Sequence, residues 1–155
     1  MKKSFQDYYP DNFAVCYGCG RLNDHGLHIK SYWKDDIAVC HFQPKPYHTA
    51  VQGYTYGGLL ASLIDCHATG TAAAAMYRHE NRPQDSEPAI RFVTGNLNVR
   101  YVSPTPIDQE IKLRAQAIEI RGRKVTVKVE IFSGNKITAT GEVIVFRVAD
   151  DFLKD

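Results

Sequence analysis

One acidic residue stands in the middle of the most apolar segment of this chain. Asp65 follows Leu59-Leu-Ala-Ser-Leu-Ile64 and precedes an alanine-rich stretch. A carboxylate in such surroundings is costly unless a partner or solvent compensates it. It is either a structural group that caps a loop or pairs with a base, or a general base or nucleophile in a partly dry cleft. We favour the second interpretation.

Two glycines stand at the beginning of the same segment. Gly57 and Gly58 are poor helix formers, and a tight turn into the helix is one reason for them. Access is another, because without Cβ atoms the N–H groups of a first turn can approach a carbonyl oxygen that becomes negative during attack. Gly58 and Asp65 share a helix face but lie ~10 Å apart along the axis. Two antiparallel copies of the helix could bring both to one carbonyl.

The rest of the chain predicts a sheet that positions this helix. The helix is predicted from Tyr56 to about His79 and is apolar nearly all the way round, so we expect it to be buried. Residues 1–24 are irregular. Alternating segments at 27–33, 37–42, 97–101, 111–116, 125–131 and 138–148 predict strands, with turn signals at 34–36, 121–123 and 133–135.

These elements predict one α+β domain over residues 1–155. A curved antiparallel sheet of about six strands can wrap a single apolar helix on most sides. A second copy can cover the side that the sheet leaves open, so we expect a homo-oligomer, either a dimer or a dimer of dimers.

Composition excludes several classes of partner. The 155 residues are 44% hydrophobic and 23% charged with a net charge of +2, which is ordinary for a globular protein. Because the basic residues are scattered, we expect no nucleic-acid partner. We find no apolar run long enough to span a bilayer, so we expect no membrane partner. No apolar core of a signal peptide follows Lys2 and Lys3, so we expect a cytoplasmic location.

The four cysteines are predicted to be reduced in that compartment. Cys40 and Cys66 are most simply small buried hydrophobic residues. Cys16-x-x-Cys19 with His25 and His28 has some likeness to a zinc site, and a redox pair is a further alternative. We favour a packed N-terminal lid instead, and we predict no metal and no cofactor.

Three segments resemble a known family. Tyr56-Gly57-Gly58 with Asp65 resembles the helix signature of hotdog-fold acyl-CoA thioesterases, where His-Gly-Gly is followed after six residues by an Asp. The segment 94–106 looks like the strand after that helix in the phenylacetate-pathway-like branch. That branch often carries Cys-x-x-Cys-Gly near its start, similar to 16–20. The resemblance covers about residues 14–148 and implies the hotdog fold.

The resemblance also implies roles for individual residues. Asp65 matches the carboxylate that activates water or attacks directly. Gly57 matches the residue whose N–H polarises the thioester carbonyl from the opposite subunit, and Thr94 matches a hydroxyl that positions the water or the carboxylate. Tyr56 stands where the family usually has His, and its hydroxyl can donate a hydrogen bond but cannot act as a neutral imidazole base.

Other residues are candidates for binding the substrate. Gly58 lies beside Gly57, and His48 could replace the missing family His, as could His67 or the hydroxyl of Tyr54. The phosphates of CoA need cations. Three basic residues flank a turn and are the candidates: Arg121, Arg123 and Lys124.

The sequence therefore predicts a thioester hydrolase that takes a small-molecule acyl-CoA. The absence of a Gly-x-Ser-x-Gly elbow agrees with a carboxylate mechanism. A non-catalytic acyl-CoA-binding module, favoured by Tyr56, is the main alternative. A hotdog hydratase is a third, although the Asp/His pair of that branch is not found in its motif.

Overall fold

The structure is a computed structural model that describes residues 1–152. Two short 3₁₀ helices, Phe5–Tyr8 and Asp11–Phe13, lie in the N-terminal segment. The remaining elements follow in chain order: β1 (Ser31–Lys34), β2 (Ile37–Phe42), α1 (Gly57–His79), β3 (Phe92–Tyr101), β4 (Ile111–Arg121), β5 (Lys124–Ser133) and β6 (Lys136–Arg147).

The six strands form one antiparallel sheet in the order β1-β2-β4-β5-β6-β3. The predicted α+β architecture is confirmed. Gly122 and Gly134 adopt φ of 58° and 59° in the β4–β5 and β5–β6 turns, a left-handed conformation that favours glycine. β3 pairs with β6 alone, so it is an edge strand although it comes from the middle of the chain.

The helix α1 lies on one face of this sheet and forms the centre of the hydrophobic core. Leu63 and Ile64 have no solvent exposure, and they pack with inward side chains of the strands such as Val127 and Val143. By length and composition α1 could span a bilayer, but most of it is buried inside the protein. Burial by the sheet explains why α1 is apolar on nearly every side.

The first predicted strand is shorter than expected. The pattern predicted 27–33, whereas β1 begins at Ser31. His28 has a φ of 54°, which takes the backbone out of the extended conformation before the strand. The N-terminal segment packs on α1 as the predicted lid, and Phe5 and Tyr9 are buried there.

Candidate active site

Asp65 lies on the side of α1 that faces the edge strand β3. The hydroxyl of Thr94 donates a hydrogen bond to its carboxylate. None of the ion pairs within residues 1–152 includes Asp65. Asp65 is partly exposed in a single copy, so it does not lie in a closed core. A carboxylate with one hydrogen bond and access to solvent has free oxygen lone pairs for a further partner.

A β-bulge in β3 aims Thr94 at Asp65. The pairing of β3 with β6 shifts between Thr94 and Asn96, which leaves Gly95 as the extra residue. A Cβ on Gly95 would lie 2.4 Å from the ring of Phe146, so any larger residue there would have to displace that ring. Because a bulge changes which residues face inward, Thr94 lies on the helix side together with Tyr101, seven residues later.

The beginning of α1 presents unpaired amides beside the same strand. Within residues 1–152, the N–H groups of Gly57 and Gly58 have no hydrogen-bond acceptor, whereas those of Leu59 and Leu60 donate to the carbonyl of Tyr56. Free N–H groups at a helix N-terminus carry partial positive charge and suit an oxyanion. The first turn of α1 therefore has the chemistry of an oxyanion hole.

Tyr101 holds this turn in place. Its hydroxyl donates a 2.7 Å hydrogen bond to the carbonyl of Gly57. A Cβ on Gly57 would come within 3.4 Å of the Tyr101 ring, so the strand and the helix start are in close contact. Sequence reasoning placed Tyr101 on a strand but missed this contact. Its only sequence signal is the inward alternation of β3.

Tyr56 occupies the N-cap position without a side-chain capping hydrogen bond. Its ring covers Gly58, where a Cβ would lie 2.4 Å from the ring carbon Cε1. The close approach explains the second glycine, because any side chain there would displace Tyr56. The tyrosine hydroxyl thus lies at the helix start, on an exposed side chain.

The two candidate groups do not meet within one copy. Gly57 and Asp65 are eight residues apart on one continuous helix, which separates them by ~12 Å along its axis. Each copy carries a carboxylate with its Thr94 hydroxyl, and separately a set of free amides with Tyr101. A single copy therefore holds the carboxylate and the amides as two separate groups.

His48 lies in the loop before α1, and its carbonyl accepts the N–H of Tyr56 at 2.8 Å. Its ring serves the loop, because Nδ1 accepts the N–H of Lys45 at 2.9 Å. Partial burial, together with the charge of Lys45, lowers the pKa of His48. The ring is therefore neutral at physiological pH, with its Nε2–H left as a donor.

The other proposed substitutes for the family His are not at the helix start. His67 is fully buried with both ring nitrogens bonded, to Ser31 and Ala38. Because His67 lies in the core with both ring nitrogens bonded, it cannot donate a proton to the substrate. The side chain of Tyr54 lines a surface groove with Pro106 and Lys136.

The basic turn lies at the end of the sheet where β3 begins. In the strand register, Lys124 of β5 lies opposite Phe146 of β6, and Phe146 lies opposite Val93 of β3. One strand, β6, therefore separates the basic turn from the part of β3 that carries Thr94. Arg123 is engaged there, because its guanidinium donates to the carbonyl of Arg147 at 2.7 Å. The side chain of Arg121 lies 3.3 Å from Glu119. Of the three, only Lys124 makes neither an ion pair nor a side-chain hydrogen bond within residues 1–152.

Two open grooves, of about 730 and 510 Å³, lie elsewhere. Both grooves lie on the outer face of the sheet, and the smaller one is lined by residues such as Arg114, Lys128 and Glu130. Outward side chains of β4 and β5 point away from α1, so these grooves are separate from the pair formed by Asp65 and Thr94.

The cysteines depart from the expected arrangement. Cys40 is buried and isolated as predicted. Cys66 is also buried, but its sulfur lies 3.8 Å from that of Cys16. The considered zinc arrangement with His28 does not form, because His28 Nε2 lies 2.6 Å from the carbonyl of Asn23. Cys16 and Cys66 are 50 residues apart in the sequence. No sequence pattern spans that separation, so the contact of Cys66 with the N-terminal loop could not be predicted.

Comparisons with known proteins identify relatives of this chain. A family profile described as thioesterase superfamily matches residues 52–140, which includes α1 and β3. The acyl-coenzyme A thioesterase THEM4 of Xenopus laevis is 34% identical over 95 residues, which are 61% of this chain and 37% of that protein. THEM4 of Bos taurus is 26% identical over 104 residues, 67% of this chain and 37% of that protein. The chain thus spans little more than a third of these curated relatives.

Solved structures confirm the hotdog fold. A thioesterase superfamily protein from Shewanella loihica is 39% identical with a TM-score of 0.66, covering 82% of this chain and 96% of that one. The PaaI protein of the E. coli phenylacetic acid degradation operon has a TM-score of 0.64 at 15% identity, covering 79% and 81%. At that identity the second likeness concerns the fold alone.

Proposed function

This chain belongs to the thioesterase superfamily, and from that premise we propose that it hydrolyses acyl-CoA thioesters with Asp65 as the general base. The observation that carries the proposal is the partly exposed carboxylate of Asp65, oriented by the Thr94 hydroxyl and free of any ion pair within residues 1–152. A carboxylate in this state can accept a proton from water.

The reaction follows from the chemistry of two groups, the Asp65 carboxylate and the N–H of Gly57. Asp65 removes a proton from a water molecule as its oxygen attacks the thioester carbonyl carbon. The negative charge that develops on the carbonyl oxygen is stabilised by the N–H of Gly57. The C–S bond then breaks and the sulfur leaves as a thiolate. The proton that Asp65 took from water passes to this thiolate, which yields a carboxylic acid and a thiol and restores the carboxylate. Because thiols ionise near pH ~8.5, the leaving sulfur can depart as a thiolate, so Tyr56 need not supply the proton that a His would give.

We infer that a second copy completes the site. In each copy Thr94 lies beside Asp65 and Tyr101 lies beside Gly57, so β3 runs antiparallel to the first half of α1. If two β3 strands pair antiparallel about a two-fold axis near their middle, the Thr94 end of one copy meets the Tyr101 end of the other. Asp65 of one copy then faces Gly57 of its partner, and the dimer holds two equal sites.

The edge strand supports this arrangement. β3 is ten residues long and has a neighbour on one side only. A long exposed edge is a template for further strand pairing. Apolar side chains are exposed along it and at its end: Val93, Leu97, Tyr101 and Val102. Pairing with a second copy would bury these side chains and satisfy the free backbone groups.

The test is thiol release from a panel of acyl-CoAs by wild type and Asp65→Asn. We expect turnover by the wild type and a loss of ~10²–10⁴-fold in the variant, the scale of removing a general base. Asn is close in size, so the melting temperature should stay the same and serves as the control for folding.

A contrasting result would favour the second candidate, a module that only binds acyl-CoA. The ring of Tyr56 over Gly58 is the observation that favours it, because it places a bulky side chain at the helix start. Tight binding of an acyl-CoA by both proteins, with no thiol released by either, would replace the hydrolase proposal with this one.

A further inference from the structure

Three cysteine sulfurs meet where the N-terminal segment crosses α1. Cys16 and Cys19 come from the loop, and Cys66 comes from the helix. All three Sγ atoms lie within 4.8 Å of one another, and those of Cys16 and Cys66 are 3.8 Å apart. In a tetrahedral zinc site with Zn–S bonds of ~2.3 Å, neighbouring sulfurs are ~3.8 Å apart. The cluster therefore has the dimensions of one face of such a site.

We propose that Cys16, Cys19 and Cys66 bind a zinc ion through their three thiolates. The proposal goes beyond the thioesterase site, because no step of hydrolysis uses these residues. Soft thiolate ligands select zinc over the hard divalent cations magnesium and calcium.

The loop is shaped to bring the sulfurs together. A Cβ on Gly18 would lie 2.3 Å from the sulfur of Cys66, so a glycine is needed for the helix cysteine to reach the loop. A Cβ on Gly20 would lie 2.4 Å from the carbonyl oxygen of Ala14. The N–H of Gly20 also donates to the carbonyl of Cys16 at 2.8 Å. The loop therefore folds tightly around its two cysteines.

The surroundings favour thiolates. The guanidinium of Arg91 supplies a positive charge near the three cysteines. Three thiolates, one zinc ion and one arginine sum to zero charge, so a loaded site would be neutral in this largely buried place.

Two buried polar atoms beside the cluster lack partners. Among residues 1–152 three buried side-chain nitrogen or oxygen atoms make no hydrogen bond, and two of them are Tyr9 Oη and Arg91 Nη1. The Arg91 guanidinium lies 4.5 Å from the centre of the Tyr9 ring. Since buried polar groups are nearly always satisfied, their grouping here indicates a missing polar neighbour. Cys16 is partly exposed, so water can reach the cluster and serve as a fourth metal ligand.

The ion would fasten the N-terminal loop to the middle of α1. Cys66 directly follows Asp65, so a zinc ion bound to Cys66 would also fix the turn of α1 that carries the Asp65 carboxylate. Because the sites for the three sulfurs come together only in the folded chain, metal binding would add to folding stability. The ion would be structural, and its absence should lower the melting temperature.

The test is the metal content of the full chain produced with zinc in the medium. We expect about one zinc ion per chain by elemental analysis. Replacement by cobalt should give a thiolate-to-cobalt charge-transfer absorption. Cys16→Ser should lose both signals, and it should fold because Cys16 is partly exposed. Cys40→Ala is the matched control, since Cys40 is buried outside the cluster, and it should keep both.

Three results would overturn the proposal. Folded wild type that holds no zinc and shows no cobalt–thiolate absorption does not have the site. Retention of zinc by both Cys16→Ser and Cys66→Ser would assign the metal to other ligands. A mass lower by two hydrogens in metal-free protein would identify a disulfide within the cluster instead. None of these readouts depends on hydrolysis, so failure here leaves the thioesterase proposal intact.

Discussion

Asp65 and His67 are two polar side chains on one apolar helix, two residues apart, but they differ in burial and in hydrogen bonding. His67 is fully buried; its Nδ1 lies 2.8 Å from the hydroxyl of Ser31 and its Nε2 lies 3.2 Å from the carbonyl of Ala38. Asp65 is partly exposed, and within the described part of the chain its carboxylate accepts a side-chain hydrogen bond from Thr94 alone. Two residues on a helix are ~200° apart around the axis, so one side chain faces the sheet and the other faces its open edge.

The difference shows what makes a polar residue in a core helix a candidate site. Sequence context is nearly the same for both residues, and both are costly to bury without partners. The sheet and the N-terminal segment cover His67 and satisfy it completely. The same sheet ends beside Asp65, which keeps unused acceptor capacity next to an edge strand. Coverage by neighbouring elements, rather than residue type, separates the two.

The largest effect on the covered side is a loss of stability in acid. Burial lowers the pKa of His67 from 6.5 to about 4. The unfolded chain takes up a proton on this histidine below pH 6.5, whereas the folded chain stays neutral until about pH 4. The unfolded state therefore binds more protons in that window, and stability falls as the pH falls through it. We expect about 3 kcal/mol of the unfolding free energy to be lost in this way.

Urea unfolding at several pH values between 6.5 and 4 measures this loss. His67→Gln cannot take up the proton, so its stability should fall less steeply with decreasing pH than that of the wild type. The comparison removes the contribution of carboxylates, which both proteins share. Equal pH slopes for the two proteins would mean that His67 is not held neutral by the core.

A smaller effect is expected on the open side. Thr94→Val removes the hydroxyl that donates to Asp65 while keeping the branched shape of the side chain. Loss of one hydrogen bond to a carboxylate costs about 1.5 kcal/mol, so kcat/KM should fall about tenfold. Thr94→Ser keeps the hydroxyl and should stay close to wild type. A similar loss in both variants would assign the effect to packing in β3 rather than to the orientation of Asp65.

Much of the fold could be predicted from the sequence because its signals are local. The helix was expected from Tyr56 to about His79 and runs Gly57–His79. The glycine turns at 122 and 134 join the strands as predicted. The α+β architecture then follows, since an apolar helix needs cover and antiparallel strands with short turns supply it.

The site could be predicted only in part, because its remaining features depend on contacts between distant segments. The role of Asp65 could be inferred from its place in an apolar helix as well as from a family resemblance, and that of Thr94 from the resemblance alone. Their hydrogen bond is consistent with both roles. The bulge at Gly95 and the contact of Tyr101 with Gly57 depend on strand pairing. The cysteine cluster depends on a loop that returns to α1 after 50 residues, and no local pattern records such a return.

The central claim is that the carboxylate and the oxyanion hole come from different copies. Gly57→Pro should remove the N–H and little else, because proline is tolerated at the first position of a helix and Tyr56 before it has the extended ψ of 128° that proline requires. We expect this variant to lose about 10²–10³-fold in kcat. Gly57→Ala keeps the N–H and is the control for the added side chain.

The most direct test mixes subunits of Gly57→Pro with subunits of Asp65→Asn. After equimolar co-expression, half of the dimers contain one copy of each variant, and one of their two sites combines an intact Asp65 with an intact Gly57. Activity should therefore return to about a quarter of the wild-type value, although each variant alone is nearly inactive. If the mixture is no more active than its parts, the two groups do not act across copies and the account is contradicted.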